Sequence, residues 1–152
     1  MKKIIRKINK FLFKEKKNND LPKEELKNLG IAGVYLFGSQ SENVAVGKLS
    51  DFDVAVLFKN PENSFGDTSE IYGKLYDIFS TFFDLSDFKN IDIVFLQNTS
   101  LQLRYHIITT GKILYNGDTE AILDHKEKTM MEYADFAPAR NLFNRAILER
   151  IK

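Results

Sequence analysis

The stretch LSDFDVAVLF, residues 49 to 58, constrains the fold most, because it sets two carboxylates at the head of a run of bulky apolar side chains. Its β-branched and aromatic composition is that of a strand. Residues two apart in a strand project from the same face about 6 to 7 Å apart. Asp51 and Asp53 therefore stand together, while Phe52, Val54 and Val56 take the opposite side. Two anions held that close call for a cation, and carboxylate oxygens suit Mg²⁺, which prefers a few carboxylates, water and substrate phosphates to a full protein cage. A third carboxylate sits in NIDIVFL, where Ile91, Ile93 and Phe95 would occupy a core face and Asp92 the other. If the two strands are neighbours, the three aspartates converge, and such a set can hold two metals across an in-line phosphoryl displacement. Taken singly, an Asp-Phe-Asp can also open a solvated strand and Asp92 can be an edge residue. Their order on apolar strands is what points to a metal nucleotide.

The strand before this one, GVYLFGS, ends in Gly38 and Ser39. Gly38 lets the backbone approach a phosphate closely, and Ser39 offers a hydroxyl and an amide. A Gly-Ser pair alone is ordinary turn chemistry. Beside the aspartates it becomes a candidate grip for a triphosphate.

Around these strands the pattern predicts a small mixed-sheet α/β or α+β domain, with short strands covered by helices on one side. Residues 2 to 17 space Ile4, Ile5, Ile8, Phe11 and Leu12 as one apolar stripe on an otherwise basic helix. We divide the chain into this N-terminal extension, 1–20, and a catalytic domain, 21–152, with KKNNDLP between them. LPKEELKNLG reads as a short helix closed by Gly30, and residues 69 to 84 as a helix presenting Ile71, Leu75, Ile78 and Phe82. A helix through LQLRYHIITTG, a short strand KILYN and a long helical tail from about residue 118 complete the chain. Phe136, Leu142, Phe143, Ile147 and Leu148 make that tail too apolar for a free helix, so it either helps bind a partner or packs on its own domain.

Charge and composition narrow the function classes. Lysine plus arginine, 22, nearly cancels aspartate plus glutamate, 21, so no whole-molecule field draws in nucleic acid or an acidic membrane, and direct nucleic-acid binding is not expected. Without cysteine there is no disulfide, thiolate zinc site or cysteine nucleophile. His106 and His125 lack ligand spacing. No apolar run is long enough to span a bilayer and the basic start lacks a secretion signal's apolar stretch, so a cytoplasmic location without membrane contact is expected.

The motif Gly-Ser, short spacer, Asp-X-Asp resembles the minimal nucleotidyltransferases of the polymerase-beta-like superfamily. VYLFGSQ, LSDFDVAVLF, IDIVFL, LRYHIITTGKILYNGD and YADFAPARNLFNRAILERIK extend the resemblance to MntA-type antitoxins over roughly residues 22 to 152. It implies the nucleotidyltransferase fold, Mg²⁺ held by Asp51 and Asp53, Asp92 as third carboxylate and base, and nucleotide phosphates held by Gly38 and Ser39. The implied reaction is AMP transfer from ATP to a tyrosine of a HEPN-type toxin ribonuclease, which silences it, with the two proteins forming a hetero-oligomer. The chain departs from the family pattern in a spacer of eleven residues between Ser39 and Asp51, and in Ser41, Glu42 and Asn43 where Ala-Arg-Gly is frequent. Two other readings remain open. One is a nucleotidyltransferase-fold module that blocks its toxin by contact with little or no turnover; the other is an adenylyltransferase for a small molecule such as an aminoglycoside, though little chain is left to build an acceptor pocket.

Overall fold

The computed structural model describes residues 20–38, 51–83, 85 and 90–151. The basic helix expected over residues 2 to 17 lies outside them. Helix α1 (Lys23–Asn28) is short and ends at Gly30, whose φ of 72° turns the chain into the sheet. Strands β1 (Ile31–Phe37) and β2 (Phe52–Phe58) follow, then helix α2 (Ser69–Phe83) and strand β3 (Ile91–Phe95). Helix α3 (Leu101–Thr110), strand β4 (Lys112–Asn116) and helices α4 (Thr119–Asp135) and α5 (Ala137–Ile151) complete the chain. Among the described residues no helix is long and apolar enough to cross a membrane.

The sheet order is β3-β2-β1-β4. β1 pairs antiparallel with β2 and β4, whereas β2 and β3 run parallel and are joined through α2, as parallel neighbours need a crossover. All seven residues of β1 are buried, because the sheet is covered on both faces rather than on the one side that the sequence pattern suggested. Val34, Leu36, Val54, Val56, Ile91 and Ile93 pack on Leu26 of α1 and on Leu75, Phe79 and Phe83 of α2. Tyr35, Phe37, Ala55 and Leu57 pack on Ile107 and Ile108 of α3 and Ile122 of α4. Fully burying a side chain such as Leu75 or Phe79 is worth roughly 1.5–3 kcal/mol. These two layers fix both central strands, and with them whatever their ends carry.

The helical tail is built of two helices. α4 ends at Phe136, and Pro138 falls in the first turn of α5, where its missing N–H leaves no intrahelical bond unmade. No residue of α5 is buried, so the expectation that its apolar residues pack on their own domain does not hold.

Candidate active site

β2 enters the sheet at Phe52, whose N–H donates to the Asn90 carbonyl at 2.9 Å. Phe52 stacks on Phe83 at 4.4 Å between ring centroids and packs toward α2. Alternation then turns Asp53 to the opposite face, as the sequence predicts. Asp53 and Asp92 are register partners on the parallel β2–β3 pair, so their side chains leave the same face of the sheet side by side. Asp92 is exposed and Asp53 half-buried. That face is not simply polar, since Ala55 and Leu57 continue it into the second core layer. The carboxylates occupy its rim, where the strands emerge from beneath the helices.

Burial first, then the nearby Asp92 and Asp51 carboxylates, push the Asp53 carboxyl above the ordinary aspartate range. Each of these causes penalises the anion. Asp51, exposed and just ahead of the strand, accepts a hydrogen bond from the Asn90 backbone N–H at 3.1 Å on Oδ1. The Tyr76 hydroxyl of α2 donates to the Asn90 side-chain oxygen at 3.2 Å. Asn90, at the entry to β3, and Tyr76, on the crossover helix, thus brace Asp51. Sequence reasoning missed both, and Asn90 immediately preceding the IDIVF strand was the available signal.

Gly38, which ends β1, has φ of 71°, a conformation costly for any residue with a Cβ. Across the strand pair Phe37 is the partner of Asp53, and a Cβ added at Gly38 would collide with the Asp53 carboxylate. The glycine is therefore required twice, by its turn and by the close approach of its backbone to the acid. Ser39 and the departing spacer residues lie outside the described residues.

These positions bring Gly38, Asp53 and Asp92 together, with Asp51 close enough to act on Asp53 electrostatically. Hard carboxylate oxygens and a mutually repelling set of anions fit a divalent cation. Among the described residues, however, no group of three or more acidic or histidine side chains is already gathered around one metal position. The expected convergence is a shared rim, not a ready-made cage. A cavity of about 620 Å³ beside α3, lined by Tyr105, His106, Thr109 and Tyr133 among others, includes none of the three aspartates.

Comparison with known proteins agrees with this geometry. The model of the family described as polymerase beta, nucleotidyltransferase matches residues 21–120, which include all the strands and the three aspartates. The chain belongs to the polymerase beta nucleotidyltransferase family. No curated protein is matched by sequence. Among solved structures the chain is similar to a toxin-antitoxin complex with AMP-PNP, with a TM-score of 0.61, 23% identity, and 84% of this chain and 99% of that one covered. It is also similar to the MNT antitoxin complex with tri-AMPylated HEPN toxin from Shewanella oneidensis, with a TM-score of 0.57, 22% identity, and 86% and 99% covered. A third similar structure is the MntA-HepT toxin-antitoxin complex, with a TM-score of 0.56, 21% identity, and 83% and 96% covered. At these identities the likeness establishes the shared fold.

Proposed function

We propose that this nucleotidyltransferase is an antitoxin-type protein adenylyltransferase that moves AMP from ATP to a tyrosine of a HEPN-type toxin and so neutralises it. The observation that carries the reading is the Asp53–Asp92 register pair at the rim of the sheet, with the Gly38 backbone against the Asp53 carboxylate. This is an anionic edge beside a tight backbone turn, which a metal-bound triphosphate fits. The similar antitoxin complexes, one with AMP-PNP and one with an AMPylated toxin, favour ATP as donor and a protein as acceptor.

Asp51 and Asp53 would hold Mg²⁺, with Asp92 completing the set. When bound, the ion supplies positive charge to the α-phosphate and the leaving pyrophosphate. The chain's own residues do the remaining work. Gly38, and Ser39 on the strength of the sequence resemblance, seat the phosphates. Asp92, exposed on the edge strand, accepts the proton as the acceptor hydroxyl attacks. The new bond joins the acceptor oxygen to the α-phosphorus, the bond from that phosphorus to the bridging oxygen breaks, and pyrophosphate departs. An unperturbed tyrosine titrates near pH ~10, so the attacking hydroxyl needs such a base.

One observation favours a second reading, in which the chain blocks its toxin by contact alone: among the described residues the acids are not gathered into a metal-holding group. Purified chain, labelled ATP, Mg²⁺ and the toxin separate the two. Label fixed to the toxin by the parent chain and not by Asp53→Asn supports transfer; inhibition without label supports contact.

A further inference from the structure

Helix α5 is a fifteen-residue helix without a buried residue. Phe136, Leu142, Phe143, Leu148 and Ile151 are each more than half exposed, and Ile147 is 44% exposed. A helix of this length is marginal in water when nothing covers its apolar side chains. It is tied to the domain near its start, where the Arg140 guanidinium lies 3.9 Å over the Tyr133 ring and donates to the Tyr133 carbonyl at 3.3 Å. Tyr133 in turn stacks on Tyr105 of α3 at 3.7 Å. The root is anchored and the rest projects.

The outer face of α4 is the chemical complement of that arm. Leu123, Met130 and Met131 are exposed there. Asp124, Glu127, Glu132 and Asp135 border a shallow groove of about 330 Å³ that also includes Met131 and Lys128. Glu132 is engaged by Arg104 at 3.6 Å, and Lys128 lies 4.0 Å from it. The arm carries Arg145 and Arg150 against a single acid, Glu149. With only Phe136 between the two helices, α5 does not fold back on its own α4, and among the described residues nothing covers either surface.

We propose that α5 is an exchange arm: two copies of this chain pair, each laying its basic apolar helix along the acidic, methionine-bearing outer face of the other's α4. The pairing is self-complementary, so every contact occurs twice, as in a two-fold dimer. The nine exposed large apolar residues from Leu123 to Ile151 offer an area on the order of the 800 Å² per partner that a stable interface buries. Like-helix pairing of α5 with α5 would set arginines against arginines, whereas the exchange sets them against Asp124, Glu127 and Asp135. This inference is independent of the transfer chemistry.

Sedimentation equilibrium on the full chain tests it. The parent should show twice the chain mass, and Phe143→Asp should give a monomer whose melting matches the parent's in solutions dilute enough to dissociate the pair, because Phe143 is 70% exposed and belongs to neither core layer. Arg145→Glu should weaken dimerisation roughly tenfold, and adding Glu127→Arg to that variant should restore it. A parent that stays monomeric overturns the proposal, including one that binds only a second protein or anionic vesicles. So does a dimer that survives Phe143→Asp or truncation after Asp135.

Discussion

The carboxylate rim of the sheet and helix α5 are opposites in how their residues are held. Asp53 is fixed between a fully buried β1 and a parallel partner strand, under helices on both faces, and its environment opposes its charge. In α5 nothing is buried, and large apolar groups face solvent. Natural chains tolerate unfavourable contacts where function needs them. The rim holds repelling acids that a cation would relieve, and the arm holds apolar surface that another protein surface would relieve.

The largest effect should come at the rim. Asp53→Asn keeps the shape and removes the charge, so transfer should fall by orders of magnitude while the fold persists. Without divalent cation the variant should melt no lower than the parent, because the opposed anion is gone. Mg²⁺ should raise the parent's melting temperature and leave the variant's unchanged. Thermal melting with and without Mg²⁺ checks this apart from activity, and an equal Mg²⁺ response in both would count against metal binding at Asp53.

Stability should divide the molecule in the same way. Phe79→Ala, in the fully buried layer under α2, should cost about 3–5 kcal/mol in denaturant unfolding. Removing α5 by truncation after Asp135 should change the unfolding free energy of the domain, read in dilute solution, by less than about 1 kcal/mol. Comparable losses from the two would dissolve the contrast. Gly38→Ala lies between them, at about 1–2 kcal/mol for the left-handed backbone alone, with transfer lost besides because the new methyl group enters the space of the Asp53 carboxylate.

A smaller effect sits between the two regions, where α3 meets α4. The Arg104 Nε, His125 Nε2 and Thr129 Oγ1 atoms are buried there without a hydrogen-bond partner among the described residues. Burial first, then the Arg104 charge, hold the His125 imidazole down to about 4. An ordinary histidine titrates near ~6.5, so the folded state resists protonation. The neutral ring's contribution is present above that value and fades as pH falls toward 4. Urea midpoints taken from pH 7 to pH 4 should decline in the parent and decline less in His125→Leu. The smallest change expected is Tyr76→Phe, which removes one exposed hydrogen bond to Asn90 and should lower transfer only a fewfold, with melting unaltered.

Much of this arrangement is legible in the chain. The alternation in DFDVAVLF and IDIVFL puts Asp53 and Asp92 on one face, and β-periodicity is local enough to be read without knowing the neighbours. What covers the far side of a sheet is a tertiary matter. LQLRYHIITTG reads as a helix, but its lack of a sharp apolar face hides that Ile107 and Ile108 close the second layer. Where the tail divides is less local, because a proline in a helix's first turn and one inside a helix look alike in sequence. Asn90 reaches Asp51 through its backbone N–H, which every residue but proline has, so its place just before IDIVF is the one signal that marks it. The resemblance to MntA-type antitoxins supplied what periodicity could not, namely an expected donor and an expected acceptor.

If the carboxylate rim transfers AMP to a protein, the intact mass of the toxin co-expressed with this chain registers it. The toxin should be heavier by whole AMP units when co-expressed with the parent chain and unmodified when co-expressed with Asp53→Asn. A toxin fully neutralised by the parent chain yet carrying no added mass would contradict it.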